Sequence, residues 1–126
     1  RDLKKPIAAE VLIYGHLPLM ITENCILKNM DECPCRDSEK IVDRTGVKLP
    51  ILRDGTSCRS IVCNAVPVFM GDRVSMLEKV GVSSVQLLFT VETPNQCQKI
   101  SSLIFSGRTL DEPYTRGHFV KGIHGA

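Results

Sequence analysis

At 126 residues, 43% of them hydrophobic and 24% charged, the chain is long and apolar enough to bury a core without covalent help, which excludes intrinsic disorder as its default. A formal charge of +2 is too small to imply a nucleic-acid or membrane-surface partner by itself, and no apolar run approaches the roughly 18 residues that span a bilayer. Six cysteines fall below the density at which a short chain is presumed to be a disulfide scaffold.

In chain order, the opening Arg1-Asp2-Leu3-Lys4-Lys5 has neither a Met nor the charged start and apolar stretch of a secretion signal, so we expect a fragment of a longer, cytoplasmic protein. Ala8–Tyr14 (AAEVLIY), ending at Gly15, reads as a central strand, and Leu17–Ile21 as a second short apolar run in which Pro18 argues against helix. A polar, cysteine-bearing loop follows. Ile41–Val42, the turn Asp43-Arg44-Thr45-Gly46 and Val47–Leu52 predict a β-hairpin, with Asp43 and Arg44 ion-paired in its turn. Asp54-Gly55 marks another turn, and Cys58–Val66 reads as a strand or extended arm.

Asp72 is placed to cap a helix through Lys79, with Val74, Leu77 and Val80 at helical spacing and Gly81 as its stop. Val85–Val91 (VQLLFTV) is the strongest strand signal. Thr93 and Pro94 then open a second helix, Asn95 to about Ser106, carrying Ile100, Leu103, Ile104 and Phe105. Beyond Gly107 the pattern is loop or edge strand. The order predicts one α/β domain over residues 1–126, a partial (β/α) barrel-like fragment with parallel strands, two helices and a cysteine-rich β-hairpin insertion over residues 23–64.

The chemistry-bearing residues are led by sulfur. The spacing is Cys25-x7-Cys33-x-Cys35, then 22 residues to Cys58 and four more to Cys63, with Cys97 apart. Four thiolates in a tetrahedral array suit zinc or an iron–sulfur cluster, but this is not the paired knuckle of a zinc ribbon. A disulfide framework and unliganded thiols are the alternatives; a Cys33–Cys35 bridge would be strained by its one-residue gap. Cys63 and Cys97 also suit buried, unliganded positions.

No HExxH, GxSxG or GxGxxG occurs, and the carboxylates form no recognisable acid/base pair. A cysteine peptidase would need a thiol beside a histidine; His16, nine residues before Cys25, and His118 are the candidates. In the tail, Arg116, His118, Lys121 and His124, interleaved with Tyr114 and Phe119, suit contact with a phosphate or nucleic acid, or equally a solvated edge.

Five blocks in order, IYGHLPLMITENC (13–25), VDRTGVKLPI (42–51), CRSIVCNAVPVF (58–69), VQLLFTVETP (85–94) and YTRGHFVKGI (114–123), resemble the collagenase-like peptidase family U thirty-two over most of the chain. The resemblance implies the later part of that family's barrel-like domain. It carries a peptidase label, yet it also implies relatives that look like iron–sulfur proteins of RNA-base or quinone-precursor hydroxylation. It implies a [4Fe–4S] cluster on Cys25, Cys33, Cys35 and Cys58, with Cys63 as an additional sulfur able to replace one of them. His16 stands where the family shows arginine. Three functions follow as expectations: a cluster-bearing part of a hydroxylating enzyme acting on RNA or a small molecule, a genuine collagenase-like peptidase, or a zinc-stabilised binding module. In the first, Arg116 and His118 would touch substrate. The expected partners are the remainder of the barrel and possible second copies of the fragment, without a membrane.

Overall fold

A continuous apolar run, Val11 to Tyr14, makes Glu10–Gly15 a strand, β1, whose neighbours Ile13 and Tyr14 project to opposite faces and are both buried. The computed structural model describes residues 7–25, 39–54 and 57–120. Six strands follow β1: β2 (Pro18–Thr22), β3 (Glu39–Val42), β4 (Lys48–Asp54), β5 (Arg59–Cys63), β6 (Val68–Phe69) and β7 (Ser84–Leu88). The helices are α1 (Val74–Lys79) and α2 (Pro94–Phe105). The fold is thus mixed α/β, mostly strands, with two sheets and two helices, and the described strands close no barrel. No helix among the described residues is long and apolar enough to cross a membrane.

The chain divides into two compact units: residues 1–15 with 68–126, and residues 16–67 inserted between them in sequence. In the first unit the sheet order is β6-β1-β7. β1 runs parallel to β7, Glu10 opposite Ser84 and Gly15 opposite Leu88, and antiparallel to the short β6. Ile13 gathers Val68, Met70 and Leu77 of α1 into one core cluster. Tyr14, on the other face, gathers Phe69, Ile100 of α2 and Leu110 into a second.

Thr93 and Gln96 start α2 with a reciprocal capping box, Gln96 N donating to Thr93 Oγ1 (3.3 Å) and Thr93 N to Gln96 Oε1 (2.8 Å). The first helix departs from expectation. Gly71–Arg73 is a 3₁₀ turn, α1 begins at Val74, and Asp72 caps nothing because its carboxylate is held by Arg116.

The second unit is a four-stranded antiparallel sheet ordered β2-β5-β4-β3. The expected hairpin is β3–β4. In its turn the Asp43 carboxylate accepts from Thr45 N (2.7 Å), Thr45 Oγ1 (2.7 Å) and Val47 N (2.9 Å), so it staples the turn rather than pairing with Arg44. Gly46, at φ 86°, supplies the left-handed residue that this reversal needs.

Gly15 ends β1 in close approach to β7. A Cβ there would stand 2.8 Å from the Leu88 carbonyl oxygen and 2.9 Å from Leu88 Cβ, and backbone has little room to give. Gly15→Ala is therefore expected to lower stability by about 1–3 kcal/mol, read as a lower urea midpoint with an unchanged slope.

Candidate functional site

The β2–β5 ladder decides which cysteines can meet. Pro18 pairs with Cys63 at one end and Thr22 with Ser60 at the other. The Arg59–Glu23 ion pair (3.5 Å) extends that register past Thr22. Both side chains are exposed, so the pair contributes little energy; it reports position. Cys25 lies three residues beyond Thr22 and Cys58 two residues before Ser60, so both belong to the same end of the ladder. β3, antiparallel to β4, starts at Glu39 opposite Ile51, which pairs in turn with Val62, so Glu39 is level with the Cys63 end of β5. The chain leaves β2 after Thr22 and enters β3 at Glu39. Cys33 and Cys35 belong to the intervening stretch and lie outside the described residues, as do Lys121 and His124 of the tail.

Of the four described thiols, Cys25 and Cys58 differ in setting. Cys25 is buried, and Cys58 is exposed in the turn before β5 with φ 53°. Cys58 is the one non-glycine with positive φ among the described residues, and a side chain in that region costs about 1–3 kcal/mol. Such strain concentrates where a side chain must be aimed for function. Next to it, Ser60 is fully buried and its Oγ has no hydrogen-bond partner. An orphaned buried hydroxyl costs about 1–3 kcal/mol and is uncommon.

Cys63 is at the opposite end. It is fully buried, three residues along β5 from Ser60, a rise of about 10 Å. Thiolates at roughly 2.3 Å from one metal stand much closer together than that, so Cys63 does not complete a site with Cys58. Cys97, half-buried on α2, belongs to the other unit. Among the described residues no three His, Cys, Asp or Glu are grouped to hold a metal; two of the four expected thiols lie outside that set.

His16 is held at the Cys63 end, where its Nδ1 donates to the Asn64 carbonyl oxygen (2.7 Å) and Asn64 N donates to the Leu17 carbonyl oxygen (2.8 Å). That bond places the ring proton on Nδ1. All five residues of β2 separate His16 from Cys25, about 13 Å of extended chain, so the structure does not assemble a His16–Cys25 dyad. The buried Cys63 thiol offers no accessible nucleophile at His16's own end.

Arg116, expected at a substrate, is committed to the framework of the first unit. Its guanidinium donates through both terminal nitrogens to the Asp72 carboxylate, the Nη2–Oδ2 bond being 2.9 Å, and also to the Phe69 carbonyl oxygen (3.0 Å). Tyr114, another tail residue, lies under the guanidinium at 5.0 Å and packs on Phe69 at 5.3 Å between ring centres. His118 sits exposed in the turn that follows. Sequence reasoning also missed Glu92, past the C-terminal end of β7. Its Oε1 accepts from the Tyr14 hydroxyl (2.8 Å) and its Oε2 from Thr90 N (2.7 Å) and Val91 N (3.1 Å). Burial first, and then the Glu92 carboxylate, push the Tyr14 phenol well above its ordinary value, so it remains a neutral donor. No local pattern marks this link; only parallel pairing of β1 and β7 brings Tyr14 and Glu92 together.

Comparison with protein-family models, with curated proteins and with solved structures returns no match.

The Arg116 hydrogen bonds hold the Asp72 carboxyl below its ordinary value of 3.8. A depressed folded-state value means that this stabilisation is complete above the unfolded value and is lost as pH falls through the lower folded one. Arg116→Met is expected to cost about 2 kcal/mol at neutral pH in urea unfolding, with the deficit shrinking below about pH 4 as Asp72 protonates.

Proposed function

We propose that this chain carries the thiolate-held iron–sulfur portion of an enzyme related to peptidase family U thirty-two, a [4Fe–4S] cluster held by Cys25, Cys33, Cys35 and Cys58. One observation carries the reading: Cys25 and Cys58 belong to the same end of the inserted sheet. The strained backbone at Cys58 and the orphaned hydroxyl of Ser60 at that end support it, since each is a cost that a bound group would offset.

When bound, such a cluster supplies one-electron transfer. The chain's own part is positional. Cys25 brings a thiol shielded from water, Cys58 one that faces solvent, and the β2–β5 ladder fixes the rungs from which both extend. The whole enzyme would act in hydroxylation of an RNA base or a small molecule, in a reducing, cytoplasmic compartment. The remaining strands of a (β/α) barrel would complete the sheet of the first unit, whose parallel β1–β7 pair is consistent with that architecture. A peptidase reading lacks comparable support, because among the described residues no accessible thiol stands beside His16.

Anaerobic reconstitution with ferrous iron and sulfide tests the assignment. The expected product is brown and holds about four irons per chain. Cys25→Ser or Cys58→Ser is expected to reduce retained iron at least about tenfold, while Cys63→Ser and Cys97→Ser leave it unchanged. Iron retention indifferent to Cys25 and Cys58 would refute the ligand set, and selective retention of zinc would favour a structural metal module.

A further inference from the structure

We draw no further inference here: the strongest candidate, the apolar cleft of about 460 Å³ beside β7 in the first unit, lined by Ile13, Val74, Val85, Leu87, Ile104 and the exposed Phe105, carries none because nothing in the structure shows what covers it.

Discussion

The register of β2 against β5 is the constraint on which the account of this protein rests. Backbone hydrogen bonds fix Thr22 opposite Ser60 and Pro18 opposite Cys63, and a one-residue slip would turn every side chain of β2 to the other face. That single pairing sorts the sulfurs. It groups Cys25 with Cys58, sends Cys63 with His16 to the far end, and so favours a thiolate site over a thiol–histidine pair. β5 is well suited to hold the register because it is flanked on both sides, with Ser60, Val62 and Cys63 all buried.

In the other unit the corresponding organiser is the Arg116–Asp72 pair. Asp72 lies in the 3₁₀ turn just before α1 and Arg116 in the tail after α2, so the bond ties together segments 44 residues apart. Its planar fork also reaches the Phe69 carbonyl oxygen, anchoring the tail along β6, where Thr115 bridges to Val68. The Tyr14–Glu92 bond does similar work at the C-terminal ends of β1 and β7, linking residues 78 apart. Both carboxylates are used by the fold itself.

Much of the local structure was legible in the sequence, for identifiable reasons. Thr93-Pro94 carries a capping residue and a helix-opening proline, and α2 starts there. Aliphatic runs marked β1 and β7, and Asp43 to Gly46 marked the hairpin turn. Long-range pairings were not legible. Asp72 looks like a helix cap until Arg116 arrives from the tail, and Arg116 looks like a substrate contact until Asp72 takes it. Val68–Phe69 is too short to announce a strand, yet it pairs with β1. The cysteines illustrate the same limit of one-dimensional spacing: Cys63 is nearer Cys58 in sequence than Cys25 is, yet an extended strand separates the first pair and a ladder joins the second. Ser60 carried no signal at all, since only its burial and its unpartnered hydroxyl single it out.

The central claim is that sulfur alone holds the metal at the Cys25–Cys58 end of the sheet. X-ray absorption at the iron edge of the anaerobically reconstituted chain tests it most directly, because it reports which atoms surround the metal. The expected spectrum shows only sulfur as nearest neighbours and iron beyond them, as a cluster on cysteine thiolates requires. Nitrogen or oxygen as the dominant neighbours, with no iron–iron scattering, would contradict the account.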